Sequence, residues 1–191
     1  MYTKAWLPQY LEKEKIANNI LTNLIVVVFG IALLVASSYI TLPLPFTPVP
    51  LSLQTLAVLL IGSAYGVHRG TTTLLLYLIL GMVGLPFFAD GKSGIEVLSG
   101  ATGGYLVGFM VAATFMGYIS EKKSYDTRFM SAWILFFVGH TIIFTCGVAW
   151  LSIFVRIKKA VWLGFVPFIP GEIVKTTMAA ILLPKIWKLV R

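Results

Sequence analysis

No side chain between Lys15 and Arg69 carries a formal charge. This stretch is too long for one helix, and the prolines between Pro43 and Pro50 divide it. A soluble domain has about 25% charged residues, whereas this chain has 12% charged and 58% hydrophobic residues. So few polar side chains cannot cover a surface that faces water. The sequence therefore predicts an all-α membrane protein and excludes a soluble enzyme, a disordered chain and a disulfide scaffold.

The uncharged runs predict six transmembrane helices in one domain, residues 1–191, because about 20 apolar residues cross a bilayer. The predicted spans are Asn18–Ile40, Leu51–Gly66, Gly70–Ala89 (with the helix ending near Leu85), Val97–Ser120, Phe129–Val155 and Leu163–Leu183. Residues 1–17 mix Trp6, Leu7 and Tyr10 with charged side chains. We expect an interfacial helix there, with a disordered tail as the alternative and a cleaved signal peptide disfavoured.

The basic residues predict the orientation, because cytoplasmic segments of membrane proteins are enriched in Lys and Arg. An even number of spans places both termini on one side, and ten basic residues fall in the segments of that side. They are Lys4, Lys13, Lys15, Arg69, Lys122, Lys123, Arg128, Lys185, Lys188 and Arg191. Four lie on the other side, at Lys92, Arg156, Lys158 and Lys159. Both termini are therefore predicted to be cytoplasmic, and the net charge of +8 does not indicate nucleic-acid binding.

Glu172 and Lys175 are charged residues inside the predicted sixth span. Ionisable groups at membrane depth are costly and usually have a purpose. Pro167 and Pro170 break or start the helix just before Glu172, and a spacing of three residues puts the two charges on one face. The pair is either an internal ion pair that joins two helices or part of a site for a polar ligand in an apolar pocket, and the spacing alone does not decide.

Two further segments fall at the same end of the predicted helices. The proline-rich loop Leu42–Pro50 presents Phe46 and Thr47, and Gln54 follows in the second span. Residues 81–94 and 98–109 are rich in glycine and contain Asp90, Lys92, Thr102 and Tyr105. No strand precedes these glycines, so a nucleotide-binding loop is excluded. A stiff loop could cap a pocket or simply connect two helices, and the glycines permit close helix packing or close approach to a ligand.

The remaining candidates are weaker. His68 and His140 lie far apart in the sequence, with no carboxylate or thiol cluster, so a metal site is not expected. We expect His140 to form a hydrogen bond between helices. Ala32 and Ala36 form a small-residue step in the first span, of a kind that allows another helix to pack closely.

Four segments occur in a diagnostic order: residues 42–55, Tyr77 with the following residues 84–89, residues 100–109 and residues 170–175. Together they resemble the BioY family, the biotin-specific substrate-binding subunits of energy-coupling-factor (ECF) transporters, from about Ala32 to the last helix. The resemblance implies a six-helix S-component fold in the cell (inner) membrane, with biotin under the first loop. It implies no cofactor. It also implies two kinds of partner, a transmembrane coupling subunit that meets Ala32 and Ala36, and a pair of ABC-type ATPases.

Biotin has a ureido ring, an apolar thioether ring and a carboxylate. Given the resemblance, we expect Glu172 and Asp90 to accept the ureido N–H groups and Lys175 to donate to the ureido oxygen. We expect the bicyclic ring of biotin to be covered by Phe46, Phe87 and Tyr105. We expect Lys92 to contact the biotin carboxylate. The reverse orientation, with Lys175 on the carboxylate, stays open. Further candidate lining residues are Thr47, Gln54 and Thr102.

The chain departs from the usual family pattern at two positions. The family usually has Asp in place of Glu172 and Pro in place of Ala101. The alternatives to biotin uptake are an S component for another vitamin, an intramembrane enzyme that uses Glu172, Lys175 and His140, and a structural assembly protein. The last would leave the charged pair and the proline loop without a purpose.

Overall fold

The computed structural model describes residues 5–13, 20–122 and 128–187. Its helices are α1 (Trp6–Lys13), α2 (Ile20–Tyr39), α3 (Gln54–Met82), α4 (Ile95–Ser99), α5 (Gly103–Lys122), α6 (Phe129–Leu151), α7 (Ile157–Gly164) and α8 (Ile169–Trp187). Two short strands, β1 (Thr41–Leu42) and β2 (Leu51–Ser52), pair antiparallel with Thr41 opposite Ser52. Single 3-10 turns occupy Ala89–Gly91 and Val166–Phe168. We call the end of the bundle that carries β1, β2 and residues 86–102 the ribbon end.

The outer surface of the bundle is apolar. Four helical segments are long and apolar enough to cross a membrane: Ile20–Tyr39, Gly103–Lys122, Phe129–Leu151, and Ile157–Lys185, which combines α7 and α8. Large hydrophobic side chains point outward, among them Ile20 (84% exposed) and Phe29 (65% exposed) on α2. Side chains of this kind are compatible with lipid and not with water. The prediction of an all-α, multi-pass membrane protein is confirmed.

α3 is a helical hairpin with its turn at Gly66, where φ is +79° and ψ is −179°. In a straight helix Gln54 and Tyr77 would be roughly 35 Å apart, but Gln54 Nε2 donates to the Tyr77 hydroxyl at 2.5 Å. A Cβ on Gly70 would lie 3.4 Å from the Cα of Gly62, so the two arms touch. The arms, residues 54–65 and 67–82, correspond to the second and third predicted spans. With α2, α5, α6 and α8 they form the six main helical segments.

Several predicted boundaries are wrong by a few residues. The third span ends at Met82 and not near Leu85, and the fifth ends at Leu151 and not at Val155. The predicted fourth span is interrupted between Ser99 and Gly103, and hydropathy could not locate this break because no charged residue lies in it. The break that Pro167 and Pro170 predict just before Glu172 is confirmed, since a 3-10 turn precedes the start of α8 at Ile169.

Glycines allow the central helices to pack backbone against backbone. A Cβ on Gly62 would lie 2.6 Å from the carbonyl oxygen of Ala113 on α5, and one on Gly108 would lie 3.0 Å from the Cα of Ile143 on α6. Gly104 faces Trp150 of α6 with similar closeness. Helix packing therefore accounts for the glycines of α5 at positions 104 and 108.

The predicted interfacial segment is described in part. Trp6–Lys13 forms α1, whose Leu7 and Leu11 side chains are buried in the hydrophobic core. Residues 1–4 and 14–19 lie outside the described residues, as do the basic residues of 123–127 and 188–191. Both the interfacial placement and the cytoplasmic orientation of the termini stay predictions.

We expect Gly66→Ala to destabilise the fold more than Gly84→Ala. Both glycines have positive φ, at +79° and +117°, so a side chain strains either backbone by about 1–3 kcal/mol. A Cβ at Gly66 would also lie 2.3 Å from Glu121 Oε1, the atom that accepts from the Val67 backbone N–H, whereas nothing lies within 4 Å at Gly84. The midpoint of thermal unfolding in detergent measures the difference. Equal shifts for the two variants would show that the hairpin turn does not depend on its contact with Glu121.

Candidate functional site

A cavity lies at the ribbon end, between the ribbon, α3, α5, α6 and the start of α8. Its lining combines apolar and aromatic side chains with a few polar groups, as expected of a small-molecule site. The lining residues are Val49, Pro50, Ser52, Gln54, Thr55, Phe88, Ala89, Lys92, Val97, Thr102, Tyr105, Leu106, Phe109, Phe144, Phe168 and Glu172. The predicted site residues among them are Gln54, Lys92, Thr102, Tyr105 and Glu172.

Glu172 and Lys175 form an ion pair at the cavity wall, with 2.6 Å between Glu172 Oε1 and Lys175 Nζ. They are only 7% and 6% exposed. Lys175 Nζ also donates to the Ser52 carbonyl oxygen at 2.6 Å and to Thr55 Oγ1 at 3.0 Å, so three acceptors surround its three N–H groups. Lys175 is absent from the cavity lining and stands behind Glu172. Its contacts join α8 to β2 and to the first turn of α3.

The start of α8 follows from its sequence. Pro170 lies in the first turn, where the backbone N–H that proline lacks would have no helical partner. Glu172 also lies in this turn, where the partial positive charge of the helix N-terminus favours a carboxylate. The second carboxylate oxygen, Oε2, accepts from the Thr55 hydroxyl at 3.0 Å.

His140 reaches the same carboxylate from α6. Its Nε2 lies 2.6 Å from Glu172 Oε2, a close polar contact that is not aligned as a hydrogen bond. Its Nδ1 is hydrogen-bonded to the Thr176 hydroxyl of α8 at 3.0 Å. The prediction that His140 links two helices by a hydrogen bond is confirmed.

A second polar chain starts at Gln54. Its side chain donates to the Tyr77 hydroxyl, which donates to the Phe87 carbonyl oxygen at 2.9 Å. The Phe87 ring stacks on Tyr77, with 6.2 Å between centroids, and does not line the cavity. The neighbouring Phe88, 1% exposed, lines it instead.

Three other predicted residues lie outside the cavity lining. Phe46 is 58% exposed at the tip of the loop. Thr47 donates to the Leu163 carbonyl oxygen of α7 at 2.7 Å, which fastens the loop, while Val49 and Pro50 supply its contact with the cavity. Asp90 accepts from the Thr41 hydroxyl at 2.5 Å and so joins residues 89–91 to β1.

Tyr105 anchors the aromatic side of the cavity. Its hydroxyl donates to the Gly164 carbonyl oxygen at 2.7 Å, and its ring packs edge-on against Phe144 at 5.9 Å. Phe144 in turn contacts Phe168 at 5.6 Å. These rings form a continuous apolar wall opposite the polar groups of α3.

Comparison with known proteins identifies the family. Residues 10–191 match the BioY family. The chain belongs to the BioY family. It is 38% identical over 159 residues to the biotin transporter BioY of Thermotoga maritima, covering 83% of this chain and 91% of the relative. It is 36% identical over 166 residues to the biotin transporter BioY2 of Lactococcus lactis subsp. cremoris, covering 86% of this chain and 89% of the relative.

The fold also resembles a solved structure. A crystal structure of the S-component for biotin from an ECF-type ABC transporter matches with a TM-score of 0.81 and 24% identity, over 88% of this chain and 92% of that chain. The S-component-like fold predicted from the family resemblance is confirmed.

Sequence reasoning missed Thr55, Phe88, Phe109, Phe144 and Phe168 as lining residues. Thr55 follows Gln54 directly, and its hydroxyl in a buried helix was an available signal. No sequence signal distinguished the phenylalanines, because in a membrane protein an apolar ring can equally belong to the core or contact lipid.

We expect Lys175→Met to lower the free energy of unfolding by about 3–5 kcal/mol, because it leaves the buried Glu172 carboxylate without its cation. The double variant Glu172→Gln, Lys175→Met removes both charges and should recover much of this loss. The exposed Lys158→Met is the matched control and should change little. Chemical or thermal unfolding in detergent measures all three. A double variant no more stable than Lys175→Met would show that the charge balance of the pair is not what stabilises the fold.

Proposed function

We propose that this chain is the biotin-binding S component of an ECF-type transporter and mediates biotin uptake without covalent chemistry or a cofactor. The observation that carries the proposal is a buried carboxylate, Glu172, in the wall of an aromatic cavity. Membership of the BioY family and the named biotin transporters among the relatives support the same ligand.

The chemistry of the cavity suits biotin. Glu172 can accept a ureido N–H, and such a hydrogen bond to a charged acceptor is stronger than one between neutral groups. The Gln54 amide lies in the same lining and offers a further polar contact. The rings of Tyr105, Phe144 and Phe168 suit the apolar thioether ring.

The orientation with the ureido ring inward is the one we favour. Lys175 stands behind Glu172 with its N–H groups directed at three protein acceptors, so it supports the charge of Glu172 and does not receive the ligand carboxylate. Lys92 lines the cavity and is exposed, which suits a carboxylate at the mouth. Asp90 and Phe87 act indirectly, by holding residues 86–91 against β1 and Tyr77.

We expect the purified protein to bind biotin saturably, and Glu172→Gln to weaken binding by about tenfold or more, since hydrogen bonds to charged groups contribute about 1.5–3 kcal/mol. Glu96→Gln, an exposed carboxylate of α4, is the matched control. Isothermal titration calorimetry in detergent measures both. Biotin methyl ester, which lacks the charged carboxylate, tests the orientation. It should bind the parent protein more weakly than biotin does, whereas Lys92→Gln should bind biotin and the ester with equal affinity.

Absence of biotin binding by a folded sample would contradict the proposal. Displacement of bound biotin by another vitamin at lower concentration would favour the alternative, an S component with a different ligand. Full affinity in Glu172→Gln would return the charged pair to a purely structural role.

We propose that the partners in transport are a transmembrane coupling subunit and a pair of ABC-type ATPases in the inner membrane. A solved structure with this fold is the S-component for biotin from an ECF-type ABC transporter, which supports partners of this kind. Ala32 and Ala36 are exposed on α2, where small side chains would let a partner helix approach closely. We propose this face of α2 as the contact with the coupling subunit.

We expect Ala36→Trp to reduce biotin uptake by cells that contain the coupling module while leaving biotin affinity unchanged, because a bulky side chain on the outer face of α2 blocks close helix contact and is not part of the cavity lining. Met178→Trp, on the outer face of α8 and 47% exposed, controls for bulk at the lipid surface. Uptake of radiolabelled biotin and co-purification with the coupling subunit are the measurements. Normal uptake by Ala36→Trp and Ala32→Trp would place the contact elsewhere.

A further inference from the structure

Glu172 separates two depressions of the surface. One is the ligand cavity, and the other is a groove between α6, α7 and α8. Besides Glu172, its lining includes Phe137, His140, Thr141, Phe144, Ile173 and Thr176. Phe137 and Ile173 are more than half exposed, so in a bilayer this groove faces lipid. Glu172 and Phe144 line both depressions and form the wall between them.

A carboxylate in this wall needs polar partners on its groove side, since an ionised group turned toward hydrocarbon is strongly disfavoured. Thr55 of α3 and Lys175 of α8 both donate hydrogen bonds to the Glu172 carboxylate. On α6 the polar contact is His140, 5% exposed, with 2.6 Å between its Nε2 and Glu172 Oε2. His140 lines the groove and is absent from the cavity lining.

The geometry also indicates which ring nitrogen carries the hydrogen. Two lone pairs would repel at 2.6 Å, so this contact favours a hydrogen on Nε2. The Thr176 hydroxyl, 3.0 Å from Nδ1, then hydrogen-bonds the other ring nitrogen and fixes the orientation of the ring.

We propose that His140 is a positioning residue for ligand binding. It contacts Glu172 Oε2 from the groove side, with its ring fixed by Thr176, and so keeps the carboxylate in the cavity wall and prevents it from turning toward lipid. The inference rests on the proposed function, because it assigns His140 a role through Glu172 and not through contact with biotin.

Four variants test this inference by calorimetric titration with biotin, after size-exclusion chromatography has established that each is folded. His140→Leu removes the close polar contact with the buried carboxylate and should weaken binding by about tenfold. His140→Gln can place an amide N–H near the position of Nε2 and should restore most of the affinity. Thr176→Val releases the ring and should weaken binding by a smaller factor. Thr141→Val is the matched control, because its hydroxyl lies in the same groove but donates to the Phe137 carbonyl oxygen.

Affinity unchanged in His140→Leu, or equal losses in His140→Leu and His140→Gln, would overturn the inference, since a role in packing alone predicts no rescue by an amide. If His140→Leu does not fold, Thr176→Val decides, and an affinity equal to the parent protein would overturn it. Glu172→Gln in the same series separates the two proposals. Weak binding by Glu172→Gln with full binding by His140→Leu refutes only the positioning role, whereas no biotin binding by the parent protein refutes the proposed function.

Discussion

The buried contact between Glu172 and Lys175 joins the parts of the molecule that surround the cavity. Each charge is costly at this depth and is tolerated because it has several polar partners. Lys175 donates to the Ser52 carbonyl oxygen of β2 and to Thr55 of α3, and the Thr55 hydroxyl donates to Glu172. The start of α8, strand β2 and the first turn of α3 therefore meet at one point, with α6 added through His140.

The hairpin in α3 makes this meeting possible. Its turn at Gly66 brings the end of the second arm back to the ribbon end, where Tyr77 bonds Gln54 at the start of the first arm. The segment that follows the second arm, including Phe88 and Lys92, is thereby delivered to the cavity. Close backbone contact of α3 with α5, which Gly62 permits, fixes the hairpin against the rest of the bundle.

Much of the fold was predictable because charge is excluded from spans. Uncharged runs located the helices, and the two interior charges, Glu172 and Lys175, pointed to the wall of the candidate cavity for the same reason. The prediction was less accurate where no charge or proline marks a break, as at 100–102, whereas the prolines marked the break at 166–168. The sequence also could not show which of two adjacent residues, such as Phe87 and Phe88, lines the cavity. A small change in the backbone of a turn decides which of the two side chains faces the cavity.

The sequence by itself determined the membrane class, the approximate positions of the main helical segments, the charged pair and the family, because hydropathy, charge and local motifs are properties of short stretches of chain. Tertiary structure alone decided which side chains line the cavity. Thr55 lies 117 residues from Glu172, and Thr47 lies 116 residues from Leu163, yet both pairs are hydrogen-bonded. Such contacts depend on how the helices pack and which rotamers the packing allows, so Lys175 stands behind Glu172 and His140 faces it from the lipid side.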